Sequence, residues 1–197
     1  MLILDVEASG TNYEKHSVVS IGAFDSDNPN NRFYGECRIW DGAHIMDGAL
    51  EVNGFTEAEI TAGSKPTESE LVEQFLAWSE EVTDRTLCGQ NVSFDRDMMR
   101  AAAERAGFNW TFAYRTLDTH TMCWMHMVKR GLPLPIDVEH KRSNLNLDAI
   151  LQYCGIPEEP HPHNALTGAL CHGEVASRLL FDVKLLPEFS QYEIPWL

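Results

Sequence analysis

Residues 2–7, Leu2-Ile3-Leu4-Asp5-Val6-Glu7, place an apolar run directly against two acids. The aliphatic residues predict a strand buried within a sheet, ending in a turn at Ala8-Ser9-Gly10. Side chains two apart on a strand leave the sheet on the same face, so Asp5 and Glu7 project together. Two neighbouring carboxylates repel and are costly to bury unless a positive group sits between them. A hard divalent cation with oxygen ligands meets that need. A strand running out into a solvated turn is the plainer alternative, and the rest of the chain must decide.

The 197 residues suffice for one good-sized core, and a single domain over 1–197 is expected. No apolar stretch approaches a membrane span, and the first residues read as a strand rather than a signal peptide. Cys37, Cys88, Cys123, Cys154 and Cys171 are odd in number and scattered, with no C-x-x-C pair. They read as buried, reduced thiols in a cytoplasmic protein. A formal charge of −15 argues against wrapping long nucleic acid. It leaves room for an enzyme that grips a few nucleotides at one pocket, where metal ions and local Lys or Arg oppose the global field.

Ser17 to Phe24 and Arg32 to Ile39 read as two more strands of an antiparallel meander, with a turn over 25–31. A short helix is expected at 47–52 and a capped helical turn at Thr56 to Ile60. Thr67 and Glu70 form a capping box before Leu71, Phe75 and Trp78 at helical spacing. A short strand at Thr86 to Gly89 precedes a helix from Phe94 to Ala106, closed by Gly107. Arg115 to Thr119 reads as a strand and Thr121 to Arg130 as a helix. Pro133-Leu134-Pro135 breaks the pattern and leaves His140-Lys141-Arg142 in a loop. Helices are expected again at Leu145 to Tyr153 and Asn164 to Phe181. A meander followed by alternating strands and helices predicts an α/β fold, a mixed sheet with helices packed on it. The aromatic tail, 186–197, is expected to dock on its own domain.

Two further clusters carry polar chemistry. In Gly89-Gln90-Asn91-Val92-Ser93-Phe94-Asp95 a strand gives way to a helix, and Asp95 falls in the first turn, where an acid also complements the helix dipole. Pro162-His163-Asn164-Ala165-Leu166-Thr167-Gly168-Ala169 heads the last helix. Together with Asp5 and Glu7 these clusters resemble the 3′–5′ exonuclease superfamily of RNase T, oligoribonuclease and the proofreading subunit of bacterial replicative polymerases. The resemblance is to its subgroup with a catalytic histidine, DEDDh. Asp-x-Glu matches at Asp5 and Glu7, the second motif at Asn91, Phe94 and Asp95, and His-x-Ala-x-x-Asp at His163 and Ala165. Segments 49–55 and 145–150 also resemble the family's, so the likeness covers roughly residues 1–181.

The resemblance implies a ribonuclease H-like mixed five-stranded sheet flanked by α-helices. It implies a two-metal phosphodiesterase that uses Mg²⁺ or Mn²⁺ and releases nucleoside 5′-monophosphates from the 3′ end of DNA or RNA. Two ions about 3.5–4 Å apart would hold the scissile phosphate. In that scheme Asp5 bridges both ions, Glu7 binds the one carrying the water, Asp95 holds the second, and His163 takes the water's proton. Backbone groups at Ala8 and Ser9 would meet the terminal nucleotide. Asn91 belongs to the same surface, Phe55 and Phe94 offer faces to bases, and Lys141 and Arg142 are candidates for backbone phosphates. Many relatives are dimers, so a homodimer, like a polymerase or other protein partner, stays open.

The third motif lacks its final acid, because Gly168 stands there. Glycine offers no ligand and costs a helix roughly 1 kcal/mol against alanine. A disabled variant, a naturally impaired exonuclease or pure binder, and a replacement ligand such as water are the competing accounts. His172, one turn further along, lies about 6 Å away along the axis and is a poor replacement. Weakened or abolished activity is the expectation, with Gly168→Asp raising 3′ trimming by orders of magnitude. The second class is a catalytically impaired nucleic-acid-binding or protein-interaction module of the same fold. A zinc site from His120, Cys123 and His126, or from His161, His163, Cys171 and His172, lacks an anchoring C-x-x-C pair.

Overall fold

The N-terminal strand β1 (Leu2–Ala8) lies at the centre of the sheet in the computed structural model, which describes residues 1–197. It pairs antiparallel with β2 (Val18–Asp25) on one edge and parallel with β4 (Leu87–Gly89) on the other. β3 (Asn28–Glu36) extends the meander and β5 (Leu117–Asp118) extends the parallel side, giving the order β3-β2-β1-β4-β5. This is a ribonuclease H-like mixed sheet of five strands flanked by helices.

The alternation along β1 assigns its two faces. Leu2, Leu4, Val6 and Ala8 enter the main core with α3 (Glu68–Ser79) and α4 (Ser93–Arg105), through residues such as Phe75, Met98 and Ala102. Ile3 points the other way and packs with Phe24, Ala169 and Ala176, under the long helix α7 (Ala165–Phe181). Asp5 and Glu7 share the parity of Ile3, so the sequence periodicity carries both acids to the α7 face. Gly22, opposite Asp5 in the β1–β2 register, lets α7 approach this closely: a side chain there would run into the backbone of Ala165.

The capping boxes form as read. Thr67 and Glu70 bond reciprocally ahead of α3, and Thr56 and Glu59 do so ahead of α2 (Glu57–Ile60). β3 begins at Asn28, earlier than expected, and takes in Pro29. An edge strand tolerates proline, because β3 pairs only with β2. β5 is only two residues long because the Asp118 carboxylate accepts the N–H groups of His120 and Thr121 and starts α5 (Thr119–Lys129) early. The segment expected as a loop after Pro135 contains a hairpin, β6 (Ile136–Asp137) and β7 (Arg142–Ser143), with Lys141 in its turn at φ 52°. α1 (Asp47–Asn53) and α6 (Leu147–Tyr153) complete the helices.

The tail folds back onto its own chain. Leu186 and Ile194 are buried, and Phe189 and Trp196 pack on the cluster formed by α5, α6 and α7. Arg178 anchors it, donating to the carbonyls of Cys154, Phe189, Tyr192 and Glu193 while pairing with Glu174 at 2.7 Å. All five cysteines are buried and free. No helix is long and apolar enough to cross a membrane.

Candidate active site

Four carboxylates gather where β1, α4 and the start of α7 meet. Asp5 and Glu7 rise from β1 toward α7. Asp95, 2% exposed, comes from the first turn of α4, and its Oδ1 accepts the Val6 N–H at 3.0 Å. That bond pins Asp95 to the strand between Asp5 and Glu7. The β4–α4 connection makes the placement possible: Asn91 adopts a left-handed φ of 51°, and its carbonyl accepts the Phe94 N–H to turn the chain into the helix. Ser20, opposite Glu7 in register, has a buried hydroxyl without a partner.

The fourth acid was not among the sequence candidates. Glu159 lies in the connection between α6 and α7 and is 4% exposed, whereas Glu158 and Pro160 on either side are exposed. Its Oε2 lies 3.6 Å from Nδ1 of His163, and its Oε1 is buried with no partner. The only sequence signal was its position four residues before His163. His163 itself is held by α1 through its N–H to the Val52 carbonyl at 3.1 Å. Asn53, buried at the end of α1, donates from Nδ2 to the Ala8 carbonyl at 3.2 Å and fastens α1 to the end of β1.

Gly168 faces this group directly. A Cβ at that position would run into Asp5 Oδ2, would sit 2.9 Å from Asp5 Cγ and would lie 3.4 Å from Glu159 Oε1. Gly168 supplies no side-chain ligand, and a side chain there would require the Asp5 carboxylate to turn aside. The Asp5 carboxylate leans into the space a side chain would need. His172 is no substitute either. It is buried behind the site, with Nδ1 facing Gly89, and burial lowers its pKa to about 4.

The acids share one electrostatic problem. Burial raises Asp5 well above the usual carboxylate range, and the charges of Asp95, Glu7 and Glu159 push it further. Burial, then Glu159 and Asp95, raise Glu7 to about 8. Burial raises Asp95 to about 7 despite the Val6 N–H, with Asp118 adding to the effect. Glu159 also stands at about 7, raised by burial and by Asp148 and offset by the Asn164 N–H. No lysine or arginine forms an ion pair with any of them; His163 is their sole basic neighbour. Burial and His161 hold His163 below its usual value, so its imidazole is neutral near pH 7.

A hard divalent cation fits this donor set, which is all oxygen and strongly anionic, with an orphaned buried acceptor aimed into it. As the side chains stand, no three His, Cys, Asp or Glu groups meet at distances that ligate one ion. Closing on a cation requires the carboxylates to move together, which their mutual repulsion opposes until a positive charge is present.

The remaining sequence candidates are placed less uniformly. Ser9 does not present free groups to a ligand: it is fully buried, its N–H bonds the Ser17 carbonyl, its carbonyl accepts from Met46, and its hydroxyl donates to the His44 carbonyl. The Ala8 carbonyl is taken by Asn53. Phe94 packs against the main core, and Phe55 is half-buried beneath the Lys65 ammonium at 4.7 Å from the ring centroid. Asn91 and Arg142 come together on an open polar cleft of ≈ 720 Å³ that also includes Asp118 and His120. Lys141 sits exposed at the hairpin turn beside it. The proposed zinc residues diverge: His120 bonds Ser143, His126 bonds the Tyr153 hydroxyl, and Cys123 lies in the core beneath the tail.

The structure is similar to E. coli exonuclease I solved in complex with a dT13 oligonucleotide, at a TM-score of 0.71 over 93% of this chain and 41% of that one, with 19% identity. The fold is the one those exonucleases carry. A moderately thermophilic exonuclease I from Methylocaldum szegediense matches at 0.69 over 92% of this chain, with 18% identity. A product-bound exonuclease I matches at 0.71 over 89%, with 17% identity. The chain thus spans about two fifths of the length of these relatives in fold. No protein-family model matches the sequence, and no curated protein sequence does either.

Proposed function

We propose that the chain is a metal-dependent 3′–5′ exonuclease that hydrolyses phosphodiester bonds and releases nucleoside 5′-monophosphates. The observation that carries this reading is the convergence of Asp5, Glu7 and Asp95 with His163 on a buried site that holds no protein cation to balance it. Mg²⁺ or Mn²⁺ bound there would neutralise the acids, polarise the phosphate and lower the pKa of an attacking water. Asp5 and Glu7 from β1 and Asp95 from α4 are the residues that would hold it.

The protein's own groups account for the rest. With Nδ1 of His163 turned toward Glu159, Nε2 is left to accept the proton of the attacking water, and a neutral imidazole suits that task. The water oxygen joins phosphorus as the bond to the 3′ oxygen breaks, which leaves the phosphate on the departing nucleotide's 5′ side. Arg142 and Lys141 beside the polar cleft supply positive charge for the strand backbone on an otherwise acidic chain. Exonuclease I structures with dT13 and dA16 oligonucleotides make single-stranded DNA the first substrate to try, with RNA beside it.

The test is a set of 5′-labelled DNA and RNA oligonucleotides incubated with Mg²⁺ or Mn²⁺. A ladder shortening from the 3′ end is expected, abolished by EDTA and reduced about 10³-fold or more in Asp5→Asn, as loss of several kcal/mol of charge stabilisation implies. Folded wild-type protein that trims neither substrate with either ion contradicts the reading. In that event the same fold serves as a non-cleaving binder, a second reading that the missing acid at Gly168 favours.

A further inference from the structure

We propose that Glu159 supplies the fourth carboxylate of the cation site, entering from the α6–α7 connection through the space that Gly168 leaves open. The inference rests on the metal-dependent reading above. It answers the question raised by the glycine: the acid is not lost from this chain but comes from a different element.

Three observations carry it. First, Glu159 turns inward from a connection whose neighbouring residues, Glu158 and Pro160, face solvent. A loop glutamate is free to point to water, and burying its charge without a partner costs several kcal/mol. Second, the burial is compensated only in part: the Asn164 N–H favours the charged form, but the carboxylate keeps an oxygen with no partner. Oε1 has no hydrogen-bond partner, and the 3.6 Å between Oε2 and His163 is too long for a hydrogen bond. A fully buried acceptor with nothing to accept from is the mark of a group that serves a ligand. Third, Oε1 points at Gly168, 3.4 Å from where a Cβ would begin, with the Asp5 carboxylate on the other side of the same space. An aspartate on α7 and Glu159 would compete for one volume, so the glycine is what admits the longer side chain. The arrangement puts acids from three separate segments around one point, β1, α4 and the α6–α7 connection, with His163 beside them just before α7.

Mn²⁺ binding by isothermal titration calorimetry, at pH 7.5 and without nucleic acid, tests this on the full chain. The wild type, Glu159→Gln, Glu158→Gln and Asp5→Asn are compared, with melting in EDTA as a second reading. Expected are at least tenfold weaker Mn²⁺ binding or loss of one bound ion in Glu159→Gln, and affinity within twofold of wild type in Glu158→Gln. The EDTA melting temperature of Glu159→Gln is expected at or above that of the wild type, since an unpaired buried charge has been removed. Glu159→Asp keeps the charge and shortens the reach, and its affinity is expected to fall as well. Wild-type affinity and stoichiometry in Glu159→Gln, alongside loss in Asp5→Asn, overturns the inference and leaves the metal-dependent reading intact. Absence of Mn²⁺ binding in the wild type overturns that reading and the inference with it.

Discussion

Helix α7 has buried carboxylate chemistry at both ends, and the two ends are opposites. Toward the C-terminus, Glu174 and Arg178 are fully buried and fully satisfied. Glu174 accepts from Arg178 and from the N–H groups of Leu185 and Leu186, and Arg178 donates to four carbonyls as well. At the N-terminus, Asp5, Glu7, Asp95 and Glu159 crowd together with one half-buried, neutral histidine beside them. Glu7, Asp95 and Glu159 are buried almost as deeply and Asp5 somewhat less, but satisfaction differs sharply. A buried charge with all its bonds made holds a fold together, and here it holds the tail. Buried charges with bonds left over raise one another's pKa values and await a ligand.

That contrast can be broken at its satisfied end first. Replacing Arg178 by Met leaves Glu174 buried and unpaired and frees the tail. A loss of about 3–5 kcal/mol is expected, read as the shift in urea midpoint, with the protein's response to Mn²⁺ unchanged. A loss below about 1 kcal/mol would remove the distinction between the two ends. At the other end, His163→Ala is expected to lower the trimming rate about 10²-fold or more at unchanged stability, and to remove the acidic limb of the pH–rate profile.

The pH dependence of stability separates the ends further. Glu7, Asp95 and Glu159 have folded-state pKa values raised to about 7–8, so between pH 5 and 8 the native state holds more protons than the unfolded state. Stability of the metal-free protein therefore falls as pH rises through that window, by about 1.4 kcal/mol per pH unit for each extra proton held. Urea midpoints in EDTA at pH 6 and pH 8 measure it, and Glu7→Gln should flatten the slope. A metal-free protein equally stable at both values would mean the acids are not coupled as described. The smallest effect is expected from Gly168→Asp. Its side chain meets Asp5 and the volume next to Glu159, so trimming should not rise above the wild-type rate. An increase of orders of magnitude would return Gly168 to the role of a lost ligand.

Much of this was legible in the chain, for physical reasons. The two-residue period of a strand fixed Asp5 and Glu7 to one face as soon as Leu2 to Val6 were buried. Thr67 with Glu70, and Asn164 ahead of α7, marked helix starts because their side chains take up backbone N–H groups locally. Glu159 and Arg178 were not legible. The first depends on the path of a connection flanked by Pro157 and Pro160, the second on four carbonyls far away in sequence. The β6–β7 hairpin was hidden by Pro133 and Pro135 and by charged residues in its turn. Ser9 illustrates the reverse failure. It sits beside the acids in sequence, yet its groups are spent on Ser17, His44 and Met46.

The most direct measurement is the melting temperature at pH 8 in EDTA and in Mn²⁺, for the wild type and Asp5→Asn. If the unsatisfied acids form a cation site, Mn²⁺ at about 100 times its Kd stabilises the wild type by about 2.7 kcal/mol, roughly 5–10 °C for a chain of this size. Asp5→Asn should melt at or above the wild type in EDTA and show little response to Mn²⁺. An equal Mn²⁺ response in both proteins, or none in the wild type, would contradict the account.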